Sequence, residues 1–167
     1  MVPIGTAMTA NMSSGIDSLA FLATSDDDVR AVSAITHTHW MSTEACVILV
    51  RILTDLIDGK RIEDAIATNV PDSKTFAYLR ELEDLPREQV RSGGFVLDTL
   101  GAALWCALHT ESYKDCVLAA VNLGDDSDTT ACVAGVIAGA IYGYEDIPSE
   151  WVGALSGADL IEECLFL

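Results

Sequence analysis

Apolar or small residues occupy every position from Ala131 to Ile141, so this run has no polar face. A helix that is apolar on all sides is normally surrounded by other elements, and small side chains let neighbouring backbones approach closely. The pattern therefore predicts a buried helix over about 129–142, with the rest of the domain packed around it. The small residues of the run are Ala131, Ala134, Gly135, Ala138, Gly139 and Ala140.

Helical spacing also governs the chain upstream of this run, because apolar residues recur three and four positions apart. A long, mostly apolar stretch over about 42–58 predicts a second buried helix with one polar stripe, formed by Glu44, Arg51, Asp55 and Asp58. Further helices are predicted from Thr24 or Ser25 onward, over 61–68, 73–82, 92–108 and 112–123, and after Pro148. No stretch has the alternation of a strand, so we expect a compact, multi-helix, all-α fold.

Length and composition limit the classes of protein. The chain has 167 residues and a net charge of -17, from 26 acidic and 9 basic residues. This charge disfavours nucleic-acid binding, and no apolar run is long enough to suggest a membrane helix. We expect a cytoplasmic protein with a weakly patterned arm over 1–18 and one domain over 19–167. Five cysteines without paired spacing are expected to be reduced thiols.

Oxygen-bearing side chains cluster where the predicted buried helix begins. Asp126, Asp128 and Thr129 lie two and three positions apart, next to the unpaired N–H groups of a helix start. Carboxylate and hydroxyl oxygens are ligands of magnesium, calcium and manganese. Helix capping by Asp126 or Ser127, with solvated acids in the first turn, explains the same spacing. The residues alone leave both interpretations open.

Two motifs resemble the ADP-ribosylglycohydrolase family. GDDSDTTA, from Gly124 to Ala131, is similar to its C-terminal GGD(T/S/A)DTTA signature, with Asp125 in place of the second glycine. SGGFVLDTL, which begins at Ser92, is similar to the family's SSGYVVDTL, with Phe95 in place of tyrosine. Gly101 follows this motif where the family has glutamate. Weaker similarity, including a Thr-His turn at His37, extends the match over about 19–151.

The resemblance implies an activity and a set of site residues. It implies hydrolysis of the N- or O-glycosidic bond that links ADP-ribose to a protein side chain, at a site with two Mg²⁺ or Mn²⁺ ions. The implied metal ligands are Asp126, Asp128 and Thr129. The residues implied to face the substrate are Ser92, Gly93, Gly94, Phe95 and His37, and Asp98 is implied to support the site from behind. Each of these residues also has a structural interpretation that the sequence leaves open. Ser92–Gly94 can form a turn, Phe95 can be a buried aromatic, His37 can make a structural hydrogen bond, and Asp98 can be an acid in a first helical turn.

The family's N-terminal motifs have no counterpart in this sequence. They comprise a GDALG-type start, a nearby acid and a Thr-Asp-Asp set that completes the metal site. We therefore expect half of the metal ligands here, in a truncated chain that forms a homo-oligomer or pairs with a complementary chain. The expected ligand is an ADP-ribosylated protein or an ADP-ribose-type molecule. The alternative is a non-catalytic all-α interaction protein that retains the fold, with or without a divalent metal.

Overall fold

The computed structural model describes residues 25–156, which form α-helices joined by short turns and contain no strand. The helices are α1 (Asp26–Ala34), α2 (Trp40–Ile57), α3 (Ile62–Asn69), α4 (Ala77–Arg80), α5 (Val96–Leu108), α6 (Tyr113–Val121), α7 (Ser127–Tyr142) and α8 (Ser149–Gly153). Short 3-10 helices span Leu82–Asp84, Arg87–Gln89 and Tyr144–Asp146. The all-α prediction is confirmed.

Helix α2 contributes much of the core. Its buried side chains include Leu49, Ile52 and Leu53, each almost fully removed from solvent. The polar stripe predicted for this helix makes ion pairs: Glu44 accepts Arg30 Nε at 2.6 Å, and Asp55 accepts Lys60 Nζ at 2.6 Å. The helix thus buries its apolar faces and uses its charged stripe to hold the segments on either side.

Helix α7 corresponds to the small-residue run. It packs against α5, α6 and α2, and it begins at Ser127, two residues before the predicted start. Its fully buried face consists of Thr130, Val133, Ala134, Ile137 and Ala138. Its other faces are only partly covered in the part of the chain described, and Cys132 is exposed there. The small residues allow close approach, since a Cβ built at Gly135 would lie 3.2 Å from the Tyr113 hydroxyl.

Two predicted helices are shorter than expected. Within 73–82 only Ala77–Arg80 is α-helical, because successive turns, with Ser73 N–H bonded to Pro71 O and Phe76 N–H to Ser73 O, precede it. Helix α5 begins at Val96 rather than at residue 92, because Phe95 has extended backbone angles of φ -96° and ψ 134°. Residues 92–95 therefore form a turn in front of the helix.

Three of the cysteines, Cys46, Cys106 and Cys116, are buried and form no disulfide among the described residues, and burial raises their pKa to about 11, 12 and 11. Cys164 and the predicted arm over 1–18 lie outside the described residues. No helix within residues 25–156 combines the length and the apolar character that a membrane crossing needs.

Candidate functional site

The acidic loop, residues 124–129, comprises the end of the connection between α6 and α7 and the first residues of α7. Gly124 and Asp125 both have positive φ angles, +88° and 51°. Glycine adopts this conformation without strain, and aspartate is among the few other residues that tolerate it. Asp125 therefore adopts, at the position of the motif's second glycine, a conformation that glycine takes readily, and this turn places Asp126 at the start of α7.

Asp126 occupies the N-cap position of α7 but does not cap it. Its side chain accepts no hydrogen bond from the N–H groups of the first turn. Asp126 Oδ1 accepts a hydrogen bond from the Thr129 hydroxyl at 2.9 Å, whereas Oδ2 is buried without a hydrogen-bond partner among the described residues. A buried polar atom without a partner costs about 1–3 kcal/mol, so its presence needs an explanation.

The remaining oxygens of the acidic loop differ in exposure. Asp128 is exposed on the first turn of α7, and Thr129 is partly buried. Thr130 Oγ1 is a second buried oxygen that has no hydrogen-bond partner in the described part of the chain. Within residues 25–156 no group of three or more His, Cys, Asp or Glu side chains is arranged to hold a metal ion.

The donor chemistry of the acidic loop suits a hard divalent cation. Carboxylate and hydroxyl oxygens are preferred by Mg²⁺ and Mn²⁺, and such ions take about six ligands. Asp126, Asp128 and Thr129 offer three side chains, so a complete coordination shell needs further ligands or water. The unbonded Asp126 Oδ2 fits such an ion better than it fits capping.

The second motif lies directly beside the acidic loop. The carbonyl of Ser92 accepts a hydrogen bond from Asp126 N–H at 3.2 Å, and Ser92 is buried. The Thr99 hydroxyl bonds to Gly93 O at 3.4 Å, which ties the turn to α5. The structure therefore brings together Ser92–Gly94 and Asp126, although 34 positions separate Ser92 from Asp126 in the sequence.

Phe95 and Asp98 occupy the start of α5. Phe95 is partly buried and packs against the core, as expected for its structural role. Asp98 lies in the first turn, with its side chain 17% exposed. Burial raises the pKa of Asp98, and the charge of Arg91 opposes this rise. Asp98 Oδ1 lies 3.3 Å from Arg91 Nε, but the angles do not make this ion pair a hydrogen bond.

Arg91 and Tyr78 are site neighbours that the sequence did not reveal. The Arg91 guanidinium lies over the Tyr78 ring, 3.9 Å from its centroid, and Arg91 N–H donates to the Tyr78 hydroxyl at 3.1 Å. The only signal in the sequence was Gly101, which stands where the resembling motif has glutamate. A Cβ at Gly101 would lie 2.5 Å from Tyr78 Cε1, so glycine makes room for this ring.

His37 lies on the turn between α1 and α2. Its backbone N–H donates to Ser33 O at 3.0 Å. Its ring atom Nδ1 is buried without a hydrogen-bond partner among the described residues. No hydrogen bond in the described part of the chain links His37 to the acidic loop. Its role at the site therefore remains a hypothesis.

Comparisons with known proteins agree on one family. The family model of ADP-ribosylglycohydrolase matches residues 4–166. The chain is 39% identical over 131 residues to ADP-ribosylarginine hydrolase Tri1 of Serratia proteamaculans, covering 77% of this chain and 36% of that protein. It is 35% identical over 127 residues to ADP-ribosyl-[dinitrogen reductase] glycohydrolase of Rhodospirillum rubrum, covering 76% and 42%.

A solved structure described as an ADP-ribosylglycohydrolase-related protein complex has a similar fold. Its TM-score to this chain is 0.62 with 28% sequence identity, and the match covers 79% of this chain and 48% of the other. The chain thus spans less than half the length of each of these three proteins.

Proposed function

Because the chain belongs to the ADP-ribosylglycohydrolase family, we propose that it takes part in metal-dependent hydrolysis of the bond between ADP-ribose and a protein side chain. The bond is N- or O-glycosidic, and ADP-ribosylated arginine is the first substrate to test, since a relative is named for it. The observation that carries the proposal is Asp126 Oδ2, a buried carboxylate oxygen without a partner in the described residues.

In this proposal Asp126, Asp128 and Thr129 hold Mg²⁺ or Mn²⁺. When bound, the ion would hold the ribose hydroxyls and activate a water close to the anomeric carbon, where positive charge develops during hydrolysis. Thr129 keeps Asp126 in place through its hydroxyl bond to Oδ1, and Oδ2, which has no hydrogen-bond partner among the described residues, is the oxygen proposed to bind the ion. Asp128 is exposed and can turn toward the same ion.

The substrate side of the proposed site is the turn in front of α5. Ser92–Gly94 lies next to the acidic loop and lacks bulky side chains, so a ligand backbone or ribose can approach closely. Phe95 offers an aromatic surface at the end of this turn. His37, with its unbonded Nδ1, is the proposed donor to a phosphate oxygen.

Additional metal ligands come, in this proposal, from a second polypeptide: a second copy of the chain or a complementary half. Large apolar side chains support an interface, since Ile35 is 80% exposed and Trp40 is 52% exposed in the described part of the chain. Exposed apolar groups favour association. We expect light scattering of a dilute solution to give the mass of a dimer or a larger assembly; a monomer mass would contradict the homo-oligomer.

The direct test is binding and hydrolysis of ADP-ribose compounds. ADP-ribose binding to the purified chain is measured by calorimetry with magnesium and with EDTA, and release of ADP-ribose from an arginine-ADP-ribosylated peptide is followed by mass spectrometry. We expect binding that requires magnesium and disappears in Asp126→Asn plus Asp128→Asn. The matched control is Asp26→Asn plus Asp28→Asn, two acids at another helix start.

The alternative is a non-catalytic interaction protein that retains the family fold. It is favoured by the described residues 25–156, in which no group of three or more His, Cys, Asp or Glu side chains is arranged to hold a metal ion. A wild-type chain that binds no ADP-ribose with magnesium, alone or with a complementary half, would contradict the hydrolase proposal and support this alternative.

A further inference from the structure

Arg91 is held from two sides. One face of its guanidinium lies 3.9 Å from the centroid of the Tyr78 ring, and its Nε lies 3.3 Å from Asp98 Oδ1. Its backbone N–H also donates to the Tyr78 hydroxyl at 3.1 Å. The Arg91 side chain is 53% exposed, so solvent weakens both contacts, and the backbone bond to Tyr78 adds to them. Both the side chain and the backbone of Arg91 are therefore fixed to the same tyrosine.

Gly101 is what allows Tyr78 to take this position. A Cβ at residue 101 would approach Tyr78 Cε1 to 2.5 Å and Leu79 Cδ2 to 3.3 Å. The first distance is shorter than atoms of this kind tolerate, so any larger residue would displace the ring. Gly101 on α5 thus makes the space for Tyr78 on α4, and the Tyr78 ring forms the surface on which the Arg91 guanidinium packs.

Ser92, the residue after Arg91, links the Tyr78–Arg91 stack to the acidic loop. The carbonyl of Ser92 accepts the Asp126 N–H hydrogen bond at 3.2 Å. The planar peptide bond between Arg91 and Ser92 fixes the Ser92 N and Cα relative to Arg91. The Ser92 carbonyl follows in the next peptide, and the bond from the Thr99 hydroxyl to Gly93 O holds the far side of that peptide. The Arg87 guanidinium donates to Asn122 O at 2.8 Å, two residues before the acidic loop begins.

We propose that Arg91 is a positioning residue for the acidic loop: clamped between Tyr78 and Asp98, it fixes Ser92 and thereby the place of Asp126. The arginine acts through Ser92 and does not itself bind metal or substrate. The link from loop position to metal affinity rests on the proposed function, whereas the link from Arg91 to the Asp126 hydrogen bond does not.

The geometry favours arginine over lysine at this position. The planar guanidinium stacks on a ring and pairs with a carboxylate at the same time, whereas an ammonium is a compact charge that does not stack in this way. Arg91→Lys keeps the charge and changes the shape, and Arg91→Ala removes both. The matched control is Arg61→Ala, because Arg61 forms a local ion pair with Asp64 within the start of α3.

Two measurements test the proposal on the full chain. Amide hydrogen exchange, followed by NMR, reports the Asp126 N–H bond directly, and manganese titration by calorimetry reports the affinity of the acidic loop. In Arg91→Ala we expect Asp126 N–H to exchange about five- to tenfold faster, in line with the loss of one hydrogen bond. Manganese affinity should fall by about tenfold, as for a residue that supports metal ligands. Arg91→Lys should be intermediate and Arg61→Ala unchanged.

The outcomes separate positioning from charge and from the proposed function. Removing a nearby cation by itself would tighten manganese binding, so tighter binding in Arg91→Ala would overturn the proposal. Unchanged Asp126 exchange in folded Arg91→Ala or Arg91→Lys would overturn it as well. If the wild type binds no manganese but Asp126 N–H exchanges faster in both Arg91 variants than in the wild type, the positioning role is supported and the proposed metal site is contradicted.

Discussion

Two helices of this protein begin with acidic clusters, and the clusters are used differently. Helix α1 begins with Asp26, Asp27 and Asp28, and α7 is preceded and started by Asp125, Asp126 and Asp128. Acids are favoured at both places because the start of a helix carries positive partial charge. The difference lies in the partners that the fold gives to each cluster.

At α1 the acids are paired. Ser25 and Asp28 form a reciprocal capping box, Arg51 donates to both oxygens of Asp26, and Arg30 donates to Asp27 at 3.0 Å. At α7 the Asp126 side chain accepts no bond from the first-turn N–H groups, and among the described residues no Lys or Arg forms an ion pair with an acid of the loop. Neighbouring side chains, more than local composition, decide which acidic helix start is tied into the fold by caps and ion pairs and which one is not.

The largest effect that we predict tests whether the two starts are independent. Gly101→Ala should lower the free energy of unfolding by about 2 kcal/mol, because the new methyl group overlaps the Tyr78 ring. Urea denaturation measures this loss. Asp126 N–H exchange should increase in the variant while that of Asp28 N–H stays unchanged. Equal effects at both amides would show that the two starts are not independent.

Removing the N-cap side chain should lower the free energy of unfolding more at α1 than at α7. Ser25→Ala should cost about 1 kcal/mol, because it deletes the hydroxyl that accepts Asp28 N–H. The matched change at α7, Asp126→Ala, deletes no capping bond and should cost less. Thermal unfolding of the two variants without metal makes the comparison, and a larger loss for Asp126→Ala would contradict a start of α7 that has no side-chain capping bond.

A smaller effect of opposite sign is expected from Asp126→Asn. In metal-free buffer this variant should be more stable than the wild type by about 0.5 kcal/mol, since a neutral amide is less costly to bury than an unpaired carboxylate oxygen. The amide can still accept the Thr129 hydroxyl bond. Urea denaturation in EDTA measures the difference. A destabilised variant would indicate that Asp126 Oδ2 also has a structural partner.

The smallest predicted effect is a pH dependence of opposite sign for two first-turn acids. Hydrogen bonds from Ser25 lower the pKa of Asp28 below 3.8, so its stabilising contribution is present above that value and is lost as the pH falls through the folded-state pKa. Burial raises the pKa of Asp98 above 3.8, so its contribution is present below that value and is lost as the pH rises through the folded-state pKa.

Melting temperatures of Asn variants test these signs from about pH 3 to about pH 6. As the pH rises, Asp28→Asn should fall increasingly below the wild type, and Asp98→Asn should gain relative to it. Parallel curves for both variants and the wild type would contradict the two assignments.

Sequence patterns predicted the α7 run, the long α2 helix and a helix over 112–123, which in the structure is α6, capped by the Ser112 hydroxyl that accepts Asp115 N–H at 3.1 Å. Such features depend on residues close together in the chain. The motifs also identified Asp126 and Ser92 as neighbours of one site, through resemblance. The sequence did not reveal the Tyr78–Arg91 stack, because it joins residues 13 positions apart whose contact depends on the space at Gly101.

The most direct test of the account is a magnesium titration by calorimetry on the wild type and two double variants. Asp126→Asn plus Asp128→Asn removes the acids at α7, and Asp26→Asn plus Asp28→Asn removes two of those at α1. We predict binding by the wild type, no binding by the α7 variant and wild-type affinity for the α1 variant. Equal binding by all three chains, or none by the wild type, would contradict a metal site at the acidic loop.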